Sequence, residues 1–249
     1  MAAPLATLAP TRLFSRWLPG SRCQVCASWQ RDAICALCLV RHAPATRRCD
    51  RCARPWPGAS TDATAQAVWH CGACVLTPPP WQAARAAVDY GYPWDLLLAR
   101  FKFRDQPDLA DPLAALLLAS LQQAERPPVD CVLPAPLATE RLRERGYNQA
   151  WELARRVARP LGLPAQADWL LRPVGGAHQA ALGRAARWRQ VRDVFALSPA
   201  GRAGVAGRHV ALVDDVMTTG ATLQALTELL GREGAASVQV WVVARTPEG

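Results

Sequence analysis

The pattern of apolar and polar positions divides the chain near residue 80. Before that point large aliphatic residues are sparse, and proline, arginine and small residues are frequent. After it, short apolar runs alternate with stretches that carry apolar residues at helical spacing. Strands that alternate with helices in this way form mostly parallel sheets. The pattern therefore predicts an α/β domain, preceded by a segment too poor in aliphatic residues to build its own core.

The second part of the chain carries enough periodic segments to predict individual elements. Strands are expected at Ala86–Tyr92, Val129–Leu133, His209–Val213 and Val238–Val243. Helices are expected at Trp94–Phe103, Leu109–Gln123, residues 147–161 and Ala221–Arg232. The stiff, proline-rich segment before Trp81 is typical of an interdomain linker. The predicted parts are an N-terminal extension (1–19), a metal-binding ribbon (20–76), a linker (77–82) and an α/β domain (83–249) with a mostly parallel sheet flanked by helices.

Eight of the nine cysteines form four Cys-x-x-Cys pairs. The pairs are Cys23/Cys26, Cys35/Cys38, Cys49/Cys52 and Cys71/Cys74. Two such pairs complete a tetrahedral sulfur site, so the four pairs predict about two structural zinc ions, which replace the missing core. An iron–sulfur cluster is the main alternative, and disulfides or redox pairs are less consistent with a cytosolic chain. Short loops favour joining the first two pairs and the last two pairs, while a crossed arrangement stays open.

Charge and hydropathy narrow the class of partner. The formal net charge is +9, and Lys102 is the only lysine among 29 basic residues. The positive surplus favours anionic partners such as phosphates, pyrophosphate or nucleic acid. No segment approaches the ~20 apolar residues of a membrane span, and Pro4, Pro10 and Pro19 argue against a signal peptide. A cytoplasmic protein without a membrane span is expected.

The stretch His209–Thr222 carries the most informative chemistry. A predicted buried strand delivers Asp214 and Asp215 to its carboxyl end, where ligands bind in open α/β sheets, and both acids are expected to be exposed there. Residues 218–222 then precede a helix, so backbone N–H groups, hydroxyls and the helix dipole can surround a phosphate. The acids can accept hydrogen bonds from sugar hydroxyls or help to hold Mg²⁺. A plain strand–turn–helix connection is the alternative.

This stretch resembles the phosphoribosyl-diphosphate (PRPP) signature of type I phosphoribosyltransferases. The resemblance implies that the paired acids bind the ribose hydroxyls and that the following loop binds the 5′-phosphate. The implied PRPP-binding residues are Asp214, Asp215, Val216, Met217, Thr218, Thr219, Gly220, Ala221 and Thr222. Relatives that act on 6-oxopurines carry an aspartate at the position of Thr218, so a hypoxanthine or guanine salvage enzyme is disfavoured.

Further motifs extend the resemblance along the chain. In order, they are the four cysteine pairs, the Pro-Pro-Pro-Trp linker, Phe101-Lys102-Phe103, Pro134-Ala135-Pro136, Arg145-Gly146-Tyr147-Asn148-Gln149, an Arg/Gln-rich loop and the segment Asp214–Thr222. With these motifs the chain is similar to the ComF family from about residue 18 onward. That resemblance implies a double zinc ribbon followed by a type I phosphoribosyltransferase domain, and a role in DNA uptake and the use of internalised DNA during natural competence.

The resemblance also implies a pyrophosphate loop. Pro134 and Ala135 occupy its place, and Arg145 and Asn148 are candidate donors to pyrophosphate. Arginines in this region can equally be solvated residues of a helix surface, and the segment 145–149 is the stronger part of the prediction.

An Arg/Gln-rich stretch at 172–195 resembles the hood that closes over PRPP in this superfamily. Its candidate contacts are Arg172, Gln179 and Arg187. Gly176 and Gln190 depart from the usual family residues, which weakens the prediction of individual contacts but leaves the assignment of the loop in place.

Three functional hypotheses follow. The first is an enzyme, in which PRPP with Mg²⁺ reacts with a nucleophile such as a base to give a ribosylated product and pyrophosphate. The second is a single-stranded DNA-binding protein, in which Trp29, Trp56 and Trp69 stack on bases, although these side chains can equally pack a small metal domain. The third is a PRPP sensor without turnover. Proteins of DNA uptake or recombination are expected partners, and the sequence shows neither an acceptor pocket nor a catalytic residue.

Overall fold

A computed structural model describes residues 20–56, 68–122, 127–173 and 194–247 of the 249-residue chain. The chain divides into two compact units, Met1–Pro44 and Ala45–Gly249. The division falls inside the predicted ribbon, so the first two cysteine pairs belong to one unit and the last two pairs to the other. The predicted domain boundaries stay a prediction.

The first unit, described from Gly20 onward, contains short elements around its cysteines. These are the antiparallel strands β1 (Ser21–Arg22) and β2 (Trp29–Gln30) and the helix α1 (Ala36–His42). Cys35 is the N-cap of α1, and its Sγ accepts a hydrogen bond from the backbone N–H of Cys38. A cysteine pair is therefore built into the start of the helix.

A parallel sheet forms the centre of the second unit. The strands among its described residues are β3 (Ala83–Asp89), β4 (Cys131–Pro134), β5 (Leu170–Leu171), β6 (Ala196–Leu197), β7 (His209–Met217) and β8 (Ser237–Arg245). Four of them pair in parallel in the order β3–β8–β7–β4, while β5 and β6 form a separate antiparallel pair. Strand β8 is buried from Val238 to Arg245 and β7 from Val210 to Val213, which requires the continuous apolar runs seen in the sequence.

Helices cover this sheet. Those among the described residues of the second unit are α2 (Gly72–Leu76), α3 (Trp94–Phe103), α4 (Ala110–Gln122), α5 (Thr139–Arg145), α6 (Gln149–Ala158), α7 (Pro199–Val205) and α8 (Ala221–Arg232). Single 3₁₀ turns lie before α4 (Pro107–Leu109) and after α6 (Arg159–Leu161). Helix α4 buries Leu113, Leu117 and Leu121 at helical spacing, and this apolar stripe fixes which face lies against the core. No helix among the described residues is both long and apolar enough to cross a bilayer.

The expected α/β class with a mostly parallel sheet flanked by helices is confirmed, and the element boundaries differ in informative places. Strand β7 was expected to end at Val213 and continues to Met217, because Val216 and Met217 keep pairing with β8 beyond the acids. The helix expected at 147–161 begins at Gln149, since the Asn148 side chain caps it by accepting hydrogen bonds from two backbone N–H groups.

Candidate functional site

The end of β7 and the start of α8 enclose a concave site of about 280 Å³ that is open to solvent. Asp214, Val216, Met217 and residues 218–223 line it. Gly220 turns the chain from strand to helix with a φ of 83°, a left-handed conformation that glycine adopts without strain. Gly220 is also the N-cap of α8 and has no side chain to cap it, while the Ala221 N–H donates to Thr219 Oγ1 at 3.3 Å. The other N–H groups of the first turn of α8 have no partner within the helix, so they can bind an anion, which the helix dipole favours.

The two acids of β7 occupy different environments. Asp214 lines the concave site, whereas Asp215 is buried, with an exposed fraction of 2%. The prediction that both acids are exposed at a strand end was therefore wrong. The reason is that β7 continues past both acids to Met217, so Asp215 lies within the covered sheet and not at its edge.

Lys102, on helix α3, neutralises the buried acid. Its Nζ lies 2.9 Å from Asp215 Oδ1, and the two side chains are 23% and 3% exposed. The other oxygen, Asp215 Oδ2, is buried without a hydrogen-bond partner among the described residues. Buried carboxylate oxygens normally have a donor, so a ligand hydroxyl or a water molecule is expected to supply one.

Burial raises the pKa of Asp214 to about 8, and the neighbouring Asp215 carboxylate adds to the rise. The Lys102 ammonium acts in the opposite direction on the same pKa. A carboxyl group with this pKa changes its charge near neutral pH, which is common at ligand-binding and catalytic sites.

The candidate pyrophosphate loop lies beside the same strand. Pro134 pairs with Val213, and the Ala135 N–H donates a hydrogen bond of 2.8 Å to Val213 O. The Asn148 side chain is already engaged, because its Nδ2 donates to Ala135 O (3.1 Å) while its Oδ1 caps α6. Asn148 thus holds the loop in place by its own hydrogen bonds, and its role toward pyrophosphate stays a prediction.

Of the remaining predicted contacts to the diphosphate, the structure describes the side chains of Arg145 and Arg172. The Arg145 guanidinium lies 5.2 Å from the ring of Phe103 and donates to Gln149 Oε1. Arg172 is exposed, and its guanidinium lies 5.6 Å from the ring of Phe195. Gln179 and Arg187 lie outside the described residues, so their expected contacts stay predictions.

Each group of four cysteines is brought together as the short loops favour. The clusters are Cys23/Cys26/Cys35/Cys38 and Cys49/Cys52/Cys71/Cys74, and within each the Sγ atoms lie within 4.8 Å of one another. Four thiolates at this spacing fit a tetrahedral zinc site closed to other ligands. The two clusters can therefore each hold a structural zinc ion.

Sequence reasoning missed three residues around the site: Lys102, Trp81 and Arg245. Lys102 had been noted only as part of a family motif, although its being the sole lysine was a usable signal. Arg245 ends the apolar run of β8 and is buried, which is rare for arginine unless its donors are paired. Trp81 had been assigned to a linker, yet it is buried against Gly220.

A parallel sheet whose acid-bearing central strand runs into a glycine-capped helix defines a type I phosphoribosyltransferase fold, and residues 182–249 match the family model described as "Phosphoribosyl transferase domain". The chain is 33% identical over 228 residues to DNA utilization protein YhgH of Salmonella typhi, covering 90% of this chain and 95% of that protein. It is 34% identical over 180 residues to Competence protein F of Haemophilus influenzae, covering 71% and 78%. The chain belongs to the ComF family, which these relatives represent.

Among solved structures, the chain is similar to glutamine PRPP amidotransferase from B. subtilis complexed with ADP and GMP. The sequences are 20% identical, the TM-score is 0.42, and the match covers 57% of this chain and 30% of that one.

Proposed function

We propose that this ComF-family protein binds PRPP together with Mg²⁺ and acts in the use of internalised DNA. The observation that carries the proposal is that the glycine-capped start of α8 and Asp214 lie together in one concave site. Exposed N–H groups suit a phosphate, and a neighbouring carboxylate suits sugar hydroxyls. The two features together match a phosphorylated ribose better than a free phosphate, which a carboxylate repels.

In this proposal the residues divide the ligand between them. The loop of residues 218–222 holds the 5′-phosphate through its backbone N–H groups and hydroxyls. Asp214 accepts hydrogen bonds from the ribose, while Lys102 pairs with the buried Asp215 and holds it in place. Mg²⁺, when bound with PRPP, neutralises the diphosphate, and the Asp214 carboxylate is the type of oxygen donor that suits this ion. The role in DNA use is supported by the names of the relatives DNA utilization protein YhgH and Competence protein F.

We expect the affinity for PRPP to rise with pH through about 8, where Asp214 titrates. Because its pKa is raised, the group is mostly protonated near pH ~6.5 and mostly ionised near pH ~9.5. The ionised form offers two charged acceptor oxygens to the ribose hydroxyls, whereas the protonated form is a weaker acceptor, so binding favours the higher pH. Calorimetric titration of the protein with PRPP and Mg²⁺ across this range measures the effect.

The Asp214→Asn variant is the control for this titration. It should bind more weakly and lose the rise near pH 8, while the ionisation of the ligand's own phosphates affects both proteins equally. Equal affinity and equal pH profiles for the two proteins would remove Asp214 from the site. Pyrophosphate release from PRPP in the presence of a panel of bases then distinguishes an enzyme from a sensor without turnover.

A second candidate function, single-stranded DNA binding, is favoured by one exposed aromatic side chain. Trp29 is 71% exposed, and the Arg22 guanidinium lies 5.1 Å from its ring. Trp56 and Trp69 stack on each other at 4.5 Å, with Arg47 at 4.8 Å from the ring of Trp56, so they serve local packing. An exposed ring beside a cation suits stacking on a base next to a phosphate.

We expect Trp29→Ala to weaken binding of a single-stranded oligonucleotide about ten-fold, since each stacked base contributes ~1–3 kcal/mol. Fluorescence anisotropy at several salt concentrations measures this, and binding should weaken steeply as salt rises. Leu37→Ala is the matched control, because Leu37 is exposed in the same unit but has no aromatic face. Absence of binding at ~50 mM salt would retire this candidate.

A further inference from the structure

The second cysteine cluster (Cys49, Cys52, Cys71 and Cys74) is connected to residues 218–222, the phosphate loop, by hydrogen bonds and packing contacts. Its first turn, Cys49–Cys52, contacts the sheet through Asp50, whose Oδ1 lies 2.6 Å from Arg85 Nη1 and whose O accepts from the Ala84 N–H at 2.8 Å. These contacts all lie within the unit Ala45–Gly249. The turn is thus attached to strand β3 by an ion pair and a backbone hydrogen bond.

Arg245 joins this turn directly to the loop. It is 3% exposed and stands at the end of β8, where its Nε donates to Cys52 O at 3.0 Å. Its Nη1 donates to Met217 O at 3.0 Å and also to Thr218 O. One guanidinium therefore bridges the backbone of a cluster cysteine and the backbone that begins the phosphate loop.

Trp81 provides a second connection between the same two places. Its indole N–H donates to Arg51 O, and Arg51 Nη1 donates back to Trp81 O at 3.0 Å. The far edge of its ring lies against Gly220, so close that a Cβ placed on Gly220 would be 3.1 Å from Trp81 Cη2. The turn of the cluster is therefore connected to the loop at two points, to Thr218 through Arg245 and to Gly220 through Trp81.

We propose that the metal held by Cys49, Cys52, Cys71 and Cys74 positions the phosphate loop, so that metal occupancy and phosphoribosyl binding are thermodynamically linked. The metal fixes the Cys49–Cys52 turn, the turn fixes Arg245 and Trp81, and these two fix the loop backbone. Linkage is reciprocal, so the ligand must retain the metal by the same factor by which the metal favours the ligand. The part of this inference that concerns the effect of a ligand rests on the proposed PRPP binding.

Metal release from the full-length, zinc-loaded protein tests the link. About two zinc ions per chain are expected at the start. Transfer of zinc to the chromogenic chelator 4-(2-pyridylazo)resorcinol is followed with and without PRPP and Mg²⁺. The double variant Cys23→Ser/Cys26→Ser lacks the first cluster, so the zinc that it transfers to the chelator comes from the second cluster. We expect PRPP to slow release from the second cluster about ten-fold and to leave release from the first cluster unchanged.

Arg245→Met removes the bridge without touching a cysteine. It should release zinc from the second cluster faster even without ligand, and PRPP should no longer slow that release. Arg202→Met is the matched control, because Arg202 is an exposed arginine whose Nη1 lies 3.9 Å from Glu233 Oε1. If Arg245→Met fails to fold, Trp81→Phe keeps the aromatic ring and loses only the donor to Arg51 O, and it should show part of the same loss.

The outcomes separate this inference from the proposed function. If calorimetry detects no PRPP binding to the wild type, the proposed function fails, and the link is then decided by release without ligand from Arg245→Met. If PRPP binds and leaves zinc release from the second cluster unchanged, the inference is overturned. It is also overturned if Arg245→Met, or Trp81→Phe in its place, releases zinc as Arg202→Met does.

Discussion

Gly220→Val is expected to abolish measurable PRPP binding, a loss of at least ~100-fold, or ~2.7 kcal/mol. A β-branched residue is strained at the φ of 83° that Gly220 adopts. Its Cβ would also lie 3.1 Å from Trp81 Cη2 and 3.6 Å from Met217 Sδ, so the loop or the tryptophan must shift. Either shift moves the N–H groups at the start of α8 away from the phosphate. Calorimetric titration with PRPP and Mg²⁺ measures the loss.

Valine substitutions at two other glycines distinguish backbone strain from steric clash as causes of the lost affinity for PRPP. Gly162 has a φ of 68° but open space where a Cβ would be, so Gly162→Val measures backbone strain without the clash. Gly231 lies near the end of α8 with open space and no positive φ, so Gly231→Val controls for valine in this helix. Thermal unfolding of all three variants shows how much stability is lost in each. Wild-type affinity in folded Gly220→Val would show that the loop does not hold the ligand.

Lys102→Met is expected to destabilise the second unit by about 3 kcal/mol, because it leaves the Asp215 carboxylate buried and unpaired. Asp215→Asn in the same protein should restore part of that loss, since a neutral amide no longer requires the ammonium. Chemical unfolding of the two single variants and the double variant gives the coupling free energy between the residues.

The exposed pair Arg202–Glu233 is the control for this comparison of unfolding free energies. Its atoms are 3.9 Å apart and solvated, so Arg202→Met should cost less than ~1 kcal/mol. If Lys102→Met costs no more than this control, the Lys102–Asp215 pair does not stabilise the fold. The assignment of Lys102 as the residue that holds Asp215 would then be wrong.

The sequence predicted the elements whose pattern is local and repeated. Strand β8 was found because it is a continuous apolar run, and helix α8 because its apolar residues recur at helical spacing. The cysteine pairs were found because metal ligands recur at fixed spacing. Helix α5 was not predicted, since it buries no residue and carries no apolar stripe. Strands β5 and β6 escaped prediction because two-residue strands carry no detectable period.

The sequence predicted the contiguous segment that forms the site, but it did not predict which residues from other elements contact that segment. The segment 214–222 is contiguous, so its chemistry is legible from the residues alone. The partner of Asp215 lies on helix α3, and the residue that bridges Cys52 to Met217 lies at the end of β8. Such contacts depend on the order of strands in the sheet, which one sequence does not specify. The exposure of Asp215 was also predicted wrongly, because it depends on where β7 ends, and one sequence does not specify that end.

The position of β8 between β3 and β7 sets the order in which a nascent chain can assemble this unit. On the ribosome, β3 emerges early, whereas β8, its pairing partner among the described strands, is complete only when residues 237–245 have been synthesised. The cysteines of the second cluster leave the exit tunnel long before Arg245 does, so they can take up metal while the loop still lacks its bridge to Cys52. A ribosome that stalls before Ser237 therefore leaves a chain that can hold metal, but whose unpaired strands are exposed to aggregation and degradation.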